Sequence, residues 1–300
     1  MRKIFTSIIT LVLMVAVLAT GVFAWFTINT KTEASGLAGQ AEAVDGGFLI
    51  QVTEKGQGAN EDAWATSVDL GAALKDLLKE LKFTDVTTKS GDLTTLQNFD
   101  ESDATANTDY VEFDFHFLTG ATRKNVVLTN LDISTSTATT WVSELDIEYN
   151  GVQVEKGDIL EAKLSDAMRV SFTQDTTTTI FENPAETTEI SKVGTTVTFG
   201  NTTGFGGFAL EYYNSMNSPI HEVPTHITNR GDKVLNTNTG NTLVTTQQND
   251  NVPTHDFDKT FNHYSKVTVR VWLEGWDGQA FNAVASGNVT INFEFEVRED

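Results

Sequence analysis

The chain has 300 residues, a formal net charge of −21 and no cysteine. The missing cysteine excludes disulfides, thiolate-ligated zinc or iron–sulfur sites and cysteine nucleophiles together. So much negative charge opposes binding to nucleic acid or anionic lipid, and favours solubility or cation-assisted association.

Arg2 and Lys3 form a positive start. Ile4 to Phe23 is then apolar, interrupted only by Thr6, Ser7, Thr10, Thr20 and Gly21. Val22 and Ala24 supply the small residues at −3 and −1 that a signal peptidase reads, which predicts export and cleavage after Ala24. The alternative is an uncleaved membrane anchor, since about 20 apolar residues span a bilayer. Cleavage removes two positive charges and leaves 276 residues carrying −23. That length suits one large β domain or a domain plus a subdomain, with residues 44–300 read as one β-sandwich domain.

The mature chain would begin with an extended, partly apolar tail over 25–43, in which Phe26 and Ile28 alternate with polar neighbours. A lone terminal strand must find a sheet edge, its own or a neighbour's. Further on, Leu70, Ala73, Leu74, Leu77, Leu78 and Leu81 follow helical spacing and predict an amphipathic helix over Ser67–Lys82. Gly157–Asp166 is a second, shorter helix candidate.

Elsewhere the pattern has period two. Val111, Phe113, Phe115 and Phe117 alternate with Glu112, Asp114 and His116; Val267 to Leu273 and Val289 to Val297 repeat the alternation. Phe48–Thr53, Asn125–Leu128, Trp141–Tyr149, Ala167–Phe172, Thr195–Phe199 and Phe208–Tyr213 are shorter strand candidates. Many strands with little helix predict an all-β fold, an antiparallel sandwich or jelly roll. The polar stretch 214–263 reads as an insertion that projects as a hairpin between Lys233–Leu235 and Thr242–Val244.

Candidates for chemistry are sparse. His221-Glu222-Val223-Pro224-Thr225-His226 has one residue too many for a zinc-protease helix, and Pro224 would break that helix. His255 and His263 with Asp256 and Asp258 match no standard metal spacing. Asp100, Glu101, Asp103 and Asp109 offer oxygen ligands of the kind calcium takes, without the glycine and terminal glutamate of an EF-hand loop. Their other reading is a solvated acidic loop. Trp272 and Trp276 stand at a strand end beside a glycine turn, either as an aromatic surface for sugars or as packing. Nucleotide-loop and serine-elbow motifs are absent, and no catalytic residue or cofactor is expected.

The signal followed by Ala24-Trp25-Phe26-Thr27-Ile28-Asn29 and then Ala34-Ser35-Gly36-Leu37 resembles the TasA/camelysin family of secreted biofilm-fibre proteins. Arg270–Gly278 with the last strand Asn288–Arg298 is similar to related surface proteins processed by the same type of signal peptidase, SipW. The resemblance covers about 60 residues of the chain. It implies an extracellular jelly-roll subunit whose mature N-terminal strand, with Trp25, Phe26, Ile28, Thr30, Ala34 and Leu37, completes the next subunit's sheet in a head-to-tail homopolymer. Its partners would be itself, the signal peptidase and other matrix or cell-surface components. Resemblance to camelysin would add a metalloprotease activity, for which this sequence has no zinc motif. The alternative to a fibre subunit is a monomeric surface module binding sugar or metal.

Overall fold

The computed structural model describes residues 37–43, 48–120, 122–186, 190–195, 199, 204–218, 220–249, 261–281 and 284–299. Strands in chain order begin with β1 (Leu37–Ala38), β2 (Gln40–Ala43), β3 (Phe48–Glu54), β4 (Ser67–Asp69), β5 (Asp85–Lys89) and β6 (Asp92–Asn98). β7 (Val111–Thr119), β8 (Lys124–Ser134), β9 (Thr139–Val142), β10 (Ile147–Tyr149), β11 (Val152–Val154) and β12 (Ile159–Ala162) follow. The rest are β13 (Met168–Gln174), β14 (Thr177–Glu182), β15 (Ser191–Lys192), β16 (Asn241–Thr245), β17 (Gln247–Gln248), β18 (His263–Glu274) and β19 (Val289–Glu299). Among the described residues helix is confined to α1 (Leu70–Ala73), α2 (Gly207–Met216), α3 (Thr225–Thr228) and short 3-10 turns. The fold is an all-β sandwich.

One sheet runs β16-β8-β19-β2-β4, with β1 also on β19. A second is built on β18, which pairs with β7 on one side and β13 on the other, and extends to β3 and β14, while β15-β12-β9 and β10-β11 form two small sheets. Most pairs are antiparallel, but β1 and β2 run parallel to β19, and β5 runs parallel to the end of β18.

The alternation seen in sequence sets the core. Phe113, Phe115 and Phe117 of β7 face Phe293 and Phe295 of β19, with edge-to-face ring pairs at 5.1–5.4 Å between the two sheets. Aromatic pairs of this geometry add stability beyond their buried area. In β8 the buried positions change parity, from Val126 and Leu128 to Leu131 and Ile133. The register against β19 skips Thr129, so a bulge turns both halves of the strand inward.

The opposite face of β7 is buried too. Glu112 binds Arg270 at 2.7 Å and Lys55 at 2.9 Å. Asp114 accepts from Gly56 N, Lys266 and Thr268 at 2.7–2.9 Å. His116 lies between Thr53 and Tyr264 at 2.8 and 2.7 Å. Long side chains of neighbouring strands therefore cover a face that alternation alone would leave wet.

Four expectations are corrected. Ser67–Lys82 is not one helix: Ser67–Asp69 pairs with β2, Asp69 caps the single turn α1, and a 3-10 turn follows at Leu78–Glu80. Strand pairing from a distant segment overrides the leucine spacing there. Gly157–Asp166 is the strand β12 followed by a 3-10 turn, because β9 and β15 pair with it. Phe208–Tyr213 is helical, inside α2, with Phe208, Ala209, Tyr212 and Tyr213 buried at helical spacing. Finally, 214–263 does not project as a whole, since Ile227, Leu235 and Val244 are core residues and β16 pairs with β8.

Candidate functional site

The tail enters the sandwich at residue 37. Leu37 pairs with Val289, and Ala41 with Phe293. Between them Gly39 has φ +154°, and a Cβ there would lie 1.7 Å from Ile291 O, so only glycine lets the two backbones cross this closely. Gly39 O accepts from Leu70 N at 2.9 Å, and Gln40 N donates to Asn292 Oδ1 at 3.1 Å. Residues 37–43 therefore belong to their own chain's sheet, which corrects the extended tail of 25–43 at its C-terminal end. Val22, Ala24, Trp25, Phe26, Ile28, Thr30 and Ala34 lie outside the described residues.

The acidic loop is brought together only as a loop. Asp100 accepts from Ser102 N and Oγ at 3.0 and 2.6 Å, Asp109 accepts from Thr105 N at 2.7 Å, and Asp103 pairs with Lys89. Glu101 is exposed at φ +66°. Among the described residues no group of three or more His, Asp or Glu side chains could hold a metal ion. His226 is bonded to Thr88 O, and His221 packs on Phe99, so the two histidines are held apart.

Trp272 and Trp276 are buried, at 0% and 9% exposure, which corrects their reading as an aromatic surface. Trp272 projects from the outer face of β18, where β5, β6 and the 225–233 segment cover it. Trp272 Nε1 donates to Glu274 Oε2 at 3.1 Å, and the Arg230 guanidinium sits 5.7 Å above its ring.

Sequence reasoning missed what surrounds it. Arg169 Nε and Nη2 donate to Asp232 and Asp277 at 2.9 and 2.8 Å. Arg230 grips Asp232 through Nε and Nη2 at 2.8 and 2.7 Å, and meets Glu274 at 2.7 Å. Both guanidiniums also stand over the Phe205 ring. Gly275 allows β5 to approach, since a Cβ there would come within 3.0 Å of Asp85 Cβ. Asp85, Glu182 and Glu186 complete an excess of carboxyls over two arginines. Asp85 Oδ1 and Glu186 Oε1 are buried without a hydrogen-bond partner. Glu274 falls at a position that alternation assigns to the wet face of β18, and nothing in the local sequence marks Arg169.

Raised carboxyls in a cleft are acid–base candidates. Here the adjoining cavity, lined by Asp85, Tyr213, Trp276 and Asp277 among others, has a volume of about 20 Å³. That is room for a single water, whereas small-molecule sites span roughly 300–1,000 Å³. The ion pairs of Arg169 and Arg230 with Asp232, Glu274 and Asp277 join distant chain segments.

Its protonation has a consequence for stability. Burial, helped by Glu274, pushes Asp85 up to about 7 from 3.8. Burial also holds Glu186 and Asp277 above the usual carboxylate range. A group raised in the folded state contributes stability that is complete below its unfolded pKa and is lost as pH rises through the folded one. His116 works in the other direction: burial lowers it to about 4 from 6.5, so its contribution is lost as pH falls from 6.5 through 4. Each group changes stability by about 1.4 kcal/mol per pH unit inside its window. The melting temperature should therefore fall between pH 6 and pH 8.5, where His116 no longer offsets the carboxyls. Asp85→Asn should raise it at pH 8.5 and leave it nearly unchanged at pH 4. Equal effects of that variant at both pH values would contradict this assignment.

Among the described residues, no helix is long and apolar enough to cross a membrane. No family model, curated protein or solved structure matches this chain.

Proposed function

We propose that this chain is an exported structural subunit that polymerises head to tail through the segment ahead of residue 37, building an extracellular fibre or matrix. The observation that carries the reading is the entry of the chain into the sandwich. Residue 37 starts a strand parallel to the last strand, at the end of the sheet where Val289 lies. Twelve residues, Trp25 to Gly36, stand between that point and the signal-peptidase site, and Phe26 and Ile28 share one face when extended. The resemblance of this segment to secreted fibre proteins supports the same reading. The burial of Trp272 and Trp276 weighs against the alternative of a sugar-binding surface module.

Phe26→Asp together with Ile28→Asp in a chain starting at Trp25 tests it. Each large side chain buried on a neighbour contributes on the order of 1.5–3 kcal/mol. Losing two weakens subunit association by about a hundredfold to ten-thousandfold. Fibres seen by negative stain and sedimentation should disappear, with the subunit's melting temperature unchanged. Normal fibres from the double variant would defeat the proposal, and an unfolded variant would place the segment in its own chain's core.

A further inference from the structure

On the outer face of the small sheet β15-β12-β9, three aliphatic side chains stand in one row. Ile159 is the registered partner of Val142. Val193 N donates to Ile159 O at 2.8 Å, continuing the Leu160–Lys192 and Glu161–Ser191 register. Val142, Ile159 and Val193 are 58, 46 and 45% exposed, whereas Leu160 and Ala162 of the same sheet are buried. Single exposed aliphatics are ordinary. Three β-branched side chains aligned across strands about 4.8 Å apart make a continuous strip about 10 Å long. Its flank is polar, with Ser191 Oγ donating to Glu161 at 2.6 Å and Asp158 paired with Lys192 at 2.6 Å.

This sheet sits at the end of the sandwich where the tail leaves. Leu37 pairs with Val289, and Thr290 pairs with Ser134, the last residue before the turn into β9. Thr139 of β9 lies against Gly287, where a Cβ would be 3.5 Å from its Oγ1, and pairs with Ala162. From Ala162 to Ile159 the strand advances about 10 Å. Trp25–Gly36 extended reaches up to about 40 Å, so the strip is within range of the chain's own tail.

We infer that, before assembly, the Trp25–Gly36 segment docks on its own copy's Val142–Ile159–Val193 strip, with Phe26 and Ile28 laid against it. The inference rests on the reading of this segment as the polymerising tail, and adds how it is held in reserve. Donor and strip share one end of the molecule. Two copies exchanging tails there would close into a symmetric pair and stop, instead of growing a fibre. A short tether also gives the chain's own strip an effective concentration in the millimolar range, ahead of any dilute neighbour. The docked tail therefore competes with assembly.

Val142→Asp with Ile159→Asp, in a chain starting at Trp25, separates the outcomes. Both side chains are surface-exposed, so the melting temperature should hold. Release of the tail should shorten the assembly lag and raise the initial rate about tenfold. Slower or abolished assembly would instead make the strip a neighbour's acceptor and overturn the inference; an unchanged rate would overturn it too. A benzophenone side chain in place of Phe26, photolysed before assembly in a mixture of ¹⁴N and ¹⁵N copies, gives an independent reading. Cross-links within one copy to β9, β12 or residues 191–193 support the docking. Cross-links between copies, or to any other surface, refute it. A chain that never forms fibres would end the fibre reading, while the cross-link would still decide where the tail rests.

Discussion

Arg169→Met should destabilise the sandwich by about 3–5 kcal/mol near neutral pH, because it leaves buried carboxylates without their cation. Arg169 is fully buried and binds Asp232 and Asp277 directly, with Glu182 3.7 Å away. Removing it strands Asp277, which has no other cation within ion-pair distance among the described residues. Asp232 keeps Arg230, so the loss falls chiefly on Asp277. The melting temperature should drop on the order of 10 °C. Arg169→Lys should recover only part of this, since an ammonium cannot bridge two carboxylates from the fixed fork of a guanidinium. The pH dependence identifies the cause. Toward pH 5 Asp277 takes a proton readily, being held above the normal carboxylate range by burial. The variant's deficit should therefore shrink in acid. A deficit that is the same at pH 5 and pH 8 would mean lost packing around the arginine stem.

The reason this cluster escaped sequence reasoning is also the reason it is stable. Alternation in β18 places Trp272 and Glu274 on the side opposite the core residues Val271 and Leu273, which in an ordinary sandwich faces water. What covers that side comes from elsewhere in the chain: the β5–β6 hairpin, Phe205 ahead of α2, and Arg230 with Asp232. Nothing in local spacing announces such a cover. The sandwich itself was legible, because β7, β18 and β19 are long enough for period two to dominate, and the phenylalanines of β7 and β19 meet across the two sheets.

Shorter elements were decided by partners. The leucines from Leu70 to Leu81 keep helical spacing, and Leu70, Leu74 and Leu81 are buried, yet the backbone completes only one α turn. Gln40–Glu42 claims Ser67–Asp69 as a strand, and the leucines reach the core from turns. In α2 the error runs the other way. Phe208–Tyr213 reads as a short strand candidate, while burial at Phe208, Ala209, Tyr212 and Tyr213 has the spacing of one helix face. For the tail, alternation at Phe26 and Ile28 was readable, but only the pairing of Leu37 with Val289 fixes where it begins.

Replacing 214–263 by a short Gly/Ser bridge should abolish the cooperative thermal transition, contrary to what its polar composition suggests. The deletion removes β16, whose Asn241–Thr245 supplies ladder bonds and Val244 to β8. It removes Ile227 and Leu235 from buried positions, each worth about 2–5 kcal/mol when truncated to alanine. It also takes away Arg230 and Asp232, leaving Glu274 with no arginine and Arg169 without one of its two nearest carboxylates. A domain is stable by about 5–15 kcal/mol, so these losses together exceed what it holds. Circular dichroism on heating should show a gradual change without a midpoint, and dye binding should report exposed apolar surface at 25 °C. A sharp transition within a few degrees of the parent would mean that the segment only leans on the sandwich. Ile227→Ala offers the graded version: it should lower the melting temperature clearly while keeping a single transition, because it opens a cavity and leaves the arginine–carboxylate clasp in place.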